Sequence, residues 1–268
     1  MLHQVLHQAP ERFGLARVRW RLTDLRQVAT VPTCGELAPL AHYSLPGIWR
    51  IVRRLGLRPK RGRLSLHSPD PAYAEKVFAL HQVQALAQRF PERVRLLYAD
   101  EAGCYRQPTL ADRYASPKQE PTAPLSCRAN TRWRLGAALD VASGQVTWVS
   151  GAKVGVVRLC TLLERLRTRY PDQILVLAWD NWPVHRHPQV LATAARCRIH
   201  LRYLPTYAPW TNPIEKLWRW LRQTATHHHQ NADQWERLKA DWHTFLDQFA
   251  GPSPSLLRYV GLSSLSPD

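Results

Sequence analysis

The chain has 268 residues, room for one substantial domain and a small one, and its 37 Lys+Arg against 20 Asp+Glu leave a net charge of +17. A surplus of that size attracts polyanions, nucleic acid first among them; an acidic membrane surface is the rival, but no basic amphipathic helix with a broad apolar face is present. No apolar run approaches the roughly 20 residues a membrane span needs. MLHQVLHQAPER lacks the apolar core of a secretion signal, and the five cysteines include no CxxC pair. A disulfide framework and a cysteine-based zinc site are therefore excluded, and a reducing cytosol is expected.

Residues 1–70 hold twelve Lys/Arg and four Asp/Glu. The pattern predicts three short helices. The first runs from about Ala16 to Val28, with Val18, Leu22 and Leu25 on one face. The second opens on a capping-box signature, Thr33 and Glu36, and ends near His42. The third follows Ser44 as LPGIWRIVRRLG, stopped by Gly56, with Ile48, Val52 and Leu55 inward and Arg50, Arg53 and Arg54 outward. Two short helices joined by a tight turn, the second one basic, describe a helix-turn-helix. RPKRGR adds Arg58, Lys60, Arg61 and Arg63 as a basic arm. Seven Lys/Arg lie between Arg50 and Arg63 with no acid among them, which favours DNA over a solvated charged face. SPDPAY (68–73) marks the boundary and starts a long helix, with Asp70 as cap and Pro71 at its first position.

Beyond Pro91, VRLLYAD reads as a buried strand ending on Asp100. RWRLGAALDV and QVTWVSG form a hairpin around Ala142-Ser143-Gly144, with Asp140 as a turn residue. GVVRLCTLLERLRTRY repeats apolar residues at Val156, Leu159, Leu163 and Leu166, a helix. ILVLAWD is a second buried strand ending on Asp180. A helix near Gln189 to Arg196, the strand IHLRYLP and a helix bearing Glu215 follow. Strands first and alternation afterwards predict an α/β domain over 71–250, a mixed sheet flanked by helices, with 251–268 as a C-terminal tail.

Glu215 has a bland reading. It stands three residues after Asn212, with Pro213 between, so it completes a capping box. Asp100 and Asp180, taken singly, read as turn residues. Together the three are carboxylates from two strand ends and a nearby helix, where open α/β sheets gather functional groups. Convergent acids in a protein drawn to polyanions repel one another and the phosphate, and Mg²⁺ resolves both repulsions because it takes oxygen ligands and bridges carboxylates to phosphate.

YADE (98–101), WDNWPVH (179–185) and LPTYAPWTNPIEKLW (204–218) resemble the signature blocks of DDE transposases, nearest to the bacterial insertion-sequence branch of the mariner superfamily. Thirty-four residues separate Asp180 from Glu215, the interval this branch keeps. The resemblance implies a ribonuclease H-like catalytic domain behind a small all-α helix-turn-helix domain. It further implies that Asp100, Asp180 and Glu215 hold two Mg²⁺ (or Mn²⁺) ions for in-line phosphoryl displacement. One step would cut a DNA strand and free a 3′-OH; the next would join that 3′-OH to target DNA, for which relatives generally choose TA. Double-stranded DNA partners, a homodimer on DNA and a bacterial, nucleoid-associated location follow from the same resemblance. Lys216, Arg219 and Arg222 would contact phosphates, although Glu215 and Arg219 also suit an i,i+4 pair. Asn181 and His185 would help to place metal or DNA, with a packed, hydrogen-bonded histidine as the alternative, and Glu101 is a supporting or structural residue.

His227-His228-His229 reads as a solvated helix end near DNA, and Trp182 and Trp210 as core or as platforms for an unpaired base. The chain departs from the family in having room for one helix-turn-helix module rather than two. Arg113 to Asn130 also lacks the family's Trp-x-x-x-Gly pattern, with Tyr114 near the Trp position. Two rival readings remain: a truncated, non-catalytic DNA-binding remnant or repressor, and a ribonuclease H-like nuclease acting on RNA or branched DNA.

Overall fold

Chain contacts divide the protein into two units, Met1–Ser65 and Leu66–Asp268. The computed structural model describes residues 2–30, 32–60 and 67–262, apart from the side chains of 32–36. The first unit holds α1 (Leu2–Leu6), α2 (Leu22–Val28), a 3₁₀ stretch (Pro32–His42) and α3 (Leu45–Arg54). Leu25, Val28, Ile48 and Val52 form its core. The first predicted helix begins six residues late, because Asp24 fixes its start: Oδ2 accepts from the Arg21 amide at 2.7 Å and Oδ1 from Arg17 at 2.8 Å. Val18 is left 85% exposed instead of facing inward. The second predicted helix is 3₁₀ and contains Pro39, which has no N–H for an α-helical bond and would clash with the preceding turn. Its expected Thr33/Glu36 box lies outside the described side chains.

Ser44 caps α3, accepting from the Gly47 amide at 3.3 Å. Leu55 is a correction. It sits at the helix end and is exposed, because Gly56 at φ 74° turns the chain and Leu57 packs in its place.

In the second unit α4 (Tyr73–Arg89) precedes a five-stranded sheet: β1 (Val94–Tyr105), β2 (Arg132–Asp140), β3 (Val146–Gly151), β4 (Ile174–Trp179) and β5 (Ile199–Tyr203). The order is β3-β2-β1-β4-β5, with β1–β3 antiparallel and β4 and β5 parallel to β1. The helices are α5 (Val156–Arg169), α6 (Pro188–Arg196), α7 (Ile214–Ala225), α8 (Trp235–Asp247) and α9 (Pro254–Val260). Strand alternation assigns the two faces. Leu97 and Ala99 pack with Leu159, Leu163 and Val190 of α5 and α6. Leu96 and Tyr98 meet Leu80 of α4, while Ala102 and Cys104 meet α7 and α8. A mixed sheet covered on both faces results, and among the described residues no helix is long and apolar enough to cross a membrane.

Three expectations change here. The first strand runs through Asp100 to Tyr105, because β2 keeps pairing with it after β4 has stopped. Asp140 is not a surface turn residue: it is fully buried and accepts from Arg95, Tyr170, Ser143 and the Ala142 amide. Residues 254–260 are a helix that buries Leu256 and Val260 in the core, so the segment from 251 is no loose tail up to Leu262; 263–268 lie outside the described residues. Asp70 accepts from the Ala72 amide, from Lys76 and from the Thr206 amide, so the start of α4 is fastened to the loop that leads into α7.

Candidate active site

The last pair in the β1–β4 ladder is Tyr98↔Ala178. Two residues further along each strand stand Asp100 and Asp180, which places both level with the carboxyl end of β4, side by side on neighbouring strand paths. Side chains on successive strand positions alternate, so Asp100 shares the Tyr98 face with α7 and Glu101 takes the opposite face. The third acid arrives from α7. Asn212 sets that helix against the sheet: its Nδ2 donates to the Ala99 carbonyl at 3.1 Å, and its Oδ1 accepts from the Ile214 amide at 3.3 Å. The expected capping box is absent, since the Asn212 amide donates to the Pro209 carbonyl rather than to Glu215. Glu215 thereby keeps its carboxylate for the cavity.

Asp100, Asp180 and Glu215 line one cavity of about 530 Å³, together with Asn181, Trp182 and the loop 204–209. Each aspartate is fixed from behind. Trp218 Nε1 donates to Asp100 Oδ2 at 3.0 Å. Asp180 Oδ1 accepts from the Trp182 amide at 2.9 Å and lies 2.9 Å from His185 Nδ1. The other nitrogen of His185 lies 3.0 Å from Glu101 Oε1. That imidazole is fully buried and stacked on Trp179, with ring centroids 4.2 Å apart. It joins a carboxylate from beneath the sheet to one in the cavity.

The electrostatics follow from this placement. Burial, then the Glu215 and Glu101 carboxylates, push Asp100 up to about 8. Burial and Asp180 raise Glu215 against the pull of Arg222 and Arg219. Burial also works against ionised Asp180, but the hydrogen bonds from His185 and the Trp182 amide outweigh it, and its pKa is lowered. Burial lowers His185, yet its bonds to Asp180 and Glu101 prevail and carry it to about 9. Among the described residues no three His, Cys, Asp or Glu side chains are drawn together into a ready-made metal cage. The acids share a cavity in which Glu215 acts on Asp100 and Asp180 on Glu215, while the donors hold one oxygen of each aspartate. An oxygen-only set whose most buried member resists ionisation suits a hard divalent cation, which relieves that repulsion. The residues fit Mg²⁺ or Mn²⁺.

Of the supporting residues, Asn181 faces the protein: its Nδ2 donates to the Leu204 carbonyl at 2.7 Å and its Oδ1 accepts from Arg186 at 2.8 Å. Lys216, Arg219 and Arg222 are all exposed on α7, and Lys216 also donates to the Val260 carbonyl at 2.7 Å. In the first unit Arg50, Arg53, Arg54, Arg58 and Lys60 are exposed, whereas Arg61 and Arg63 lie outside the described residues. The histidine run is no solvated end. His228 is buried, bonds the Ala111 amide and, with His227 on Thr109, pins the loop after β1. Sequence reasoning missed Trp218 and the tether made by Asn212. Trp218 follows Glu215 by three positions, the helical neighbour spacing, and that signal was available.

A family model described as DDE superfamily endonuclease matches residues 95–239. The "Insertion element IS630 uncharacterized 39 kDa protein" of Shigella sonnei is 26% identical over 245 residues, which span 89% of this chain and 67% of that one. Among solved structures, the Mos1 transposase paired-end complex with left transposon end is 18% identical with a TM-score of 0.58, covering 92% of this chain and 76% of that one. The Mos1 mariner paired end complex with Mn is 19% identical with a TM-score of 0.57, covering 92% and 77%. These likenesses show a shared fold.

Proposed function

Because the chain belongs to the DDE superfamily endonucleases, we propose that it is the transposase of an insertion element, cutting DNA at the element's ends and joining the freed 3′-OH to target DNA. The observation that carries this reading is the shared cavity of Asp100, Asp180 and Glu215, three acids from three different elements. In the first step water adds to the phosphorus, and the 3′ oxygen leaves as a hydroxyl, with the phosphate kept on the 5′ side of the flank. In the second step that 3′-OH attacks a target phosphodiester and displaces the target's own 3′ oxygen.

Asp100, Asp180 and Glu215 would hold two divalent ions, Mg²⁺ or Mn²⁺, which supply Lewis-acid charge at the attacking and leaving oxygens. Trp218 and His185 take up Asp100 Oδ2 and Asp180 Oδ1, so each aspartate presents its other oxygen to the cavity. Glu101 orients His185 from below and is a positioning residue with it. Asn181 shapes the turn after β4. Arg50, Arg53 and Arg54 on α3, with Arg58, Lys60, Arg61 and Arg63 beyond it, form the DNA-reading module of residues 1–70, and the homodimer assembles on DNA.

The test is nicking of supercoiled plasmid in Mg²⁺ or Mn²⁺, with joining of a labelled 3′-OH oligonucleotide as second readout. Asp180→Asn is expected to lower the rate about 10²–10³-fold while DNA binding persists. Equal nicking by both proteins removes the catalytic assignment, and salt-sensitive binding without cleavage in any divalent ion selects a DNA-binding remnant. Cleavage of RNA or branched DNA without joining selects another ribonuclease H-like nuclease.

A further inference from the structure

The long helix α4 has three faces, and two of them are occupied. Leu80, Val83 and Ala87 pack on the sheet with Leu96 and Tyr98. Tyr73, Val77, His81 and Gln84 line a cavity of about 810 Å³ whose far wall is α7. The third face is open to solvent, with Phe78 64% and Leu86 50% exposed and Ala79, Gln82 and Ala85 exposed between them. Between Lys76 and Arg89 the helix has no Lys, Arg, Asp or Glu. The outer face of a helix packed on a sheet is ordinarily its charged one. An outer face that is apolar and free of charge marks a contact surface.

The order of residues on this face says what fits it. Glu75, Ala79, Gln82, Leu86 and Arg89 follow one another at steps of four, three, four and three, the spacing of a helix–helix seam. They are also balanced about Gln82: Ala79 and Ala85 stand three residues to either side, Phe78 and Leu86 four, Glu75 and Arg89 seven. Two α4 helices laid antiparallel, with Gln82 of each at a two-fold axis, are therefore self-complementary. Phe78 of one copy packs on Leu86 of the other, the alanines let the axes approach to about 8 Å, and Glu75 meets Arg89 at both ends. Charge favours the same occupant. Two chains of net charge +17 repel each other, and this face offers them one acid and one base, matched across the axis.

We propose that α4 is a self-association surface, through which two copies of the chain pair antiparallel about Gln82. The contact joins second units and needs no DNA, so it stands apart from the homodimer on DNA and from the transposase reading. The 17-residue helix is about 25 Å long. Such a pair buries less than the roughly 1,200 Å² of a stable complex, and its Kd is on the order of 10 µM.

Sedimentation equilibrium of the full chain, freed of nucleic acid and held in EDTA, tests this at concentrations from about tenfold below to tenfold above that Kd. A monomer–dimer equilibrium is expected, and it should tighten with salt, because screening removes the net repulsion; association through residual nucleic acid would loosen instead. Phe78→Glu should weaken the pair at least about tenfold. Glu75→Arg and Arg89→Glu each set like charges opposite one another at both ends and should each weaken it about fivefold, while the double variant Glu75→Arg/Arg89→Glu should return to within about twofold of the wild type. The two positions lie about 21 Å apart on one helix, so that rescue can act only between copies. Double-variant association as weak as that of the singles overturns the proposal, as does a dimer indifferent to Phe78→Glu. A wild-type chain that stays monomeric overturns it too, whether Phe78→Glu then lowers the melting temperature, as cover by residues 1–65 requires, or leaves it unchanged, as a face kept for a different partner requires.

Discussion

Asn212 offers the sharpest test of how this fold aims its acids. The side chain is 4% exposed and makes two hydrogen bonds, one to the Ala99 carbonyl beside Asp100 and one from the Ile214 amide beside Glu215. Asn212→Ala removes both and strands a buried helix-start N–H, a cost of about 2 kcal/mol. At about 2–4 °C per kcal/mol for a domain of this size, the melting temperature should fall by about 4–8 °C. Asn212→Asp keeps the acceptor for Ile214 but aims a buried negative charge at the Ala99 carbonyl, next to three other acids, and should destabilise more. Activity should fall further than stability, because α7 is then free to shift, and about 1 Å of misplacement at Glu215 costs roughly 10²-fold. Thermal unfolding and Mn²⁺-dependent nicking, both run below the variants' melting range, measure the two effects. Three outcomes refute the reasoning: Asn212→Ala melting with the wild type, Asn212→Asp proving the milder change, or nicking unaffected in a protein that has clearly lost stability.

Asp140→Ala should cost about 3–5 kcal/mol, because it leaves Arg95, only 18% exposed, without its counter-charge; urea unfolding should show a lower midpoint at unchanged slope. Gly144→Ala should cost about 1–3 kcal/mol or more, because Gly144 has φ 72° and a Cβ there would collide with the Ser253 carbonyl; a wild-type melting curve would contradict it. The pKa of His185 rises from 6.5 to about 9 on folding. A raised pKa means that its contribution is complete below about pH 6.5 and fades as pH climbs through about 9. Stability in EDTA should therefore decline across that window in the wild type and less so in His185→Gln, and parallel profiles would remove His185 as the cause.

Much of the fold is legible in the residues alone. Residues 96–99 and 174–179 are apolar at every position, which a strand buried on both faces requires, and the period of Leu159, Leu163 and Leu166 fits a helix. The three acids stand out because each sits in a distinctive block, two of them closing apolar runs. Local pattern fails wherever a partner distant in sequence sets the outcome. Asp140 reads as a turn residue, and only the packing of α5 brings Tyr170 against it to join Arg95 and Ser143. Glu215 reads as half of a capping box until the sheet claims Asn212 through Ala99. His228 reads as solvated until the loop after β1 folds over it.

What the chain by itself determined is therefore the set of elements and the identity of the acids, because periodicity and residue chemistry are local properties. What only the tertiary structure decided is which oxygen of each acid is held and by whom. Trp218 reaches Asp100, and His185 ties Asp180 to Glu101, across gaps of 118 and 84 residues. No local rule specifies such contacts; they exist because β1, β4 and α7 have to pack against one another to bury their apolar faces.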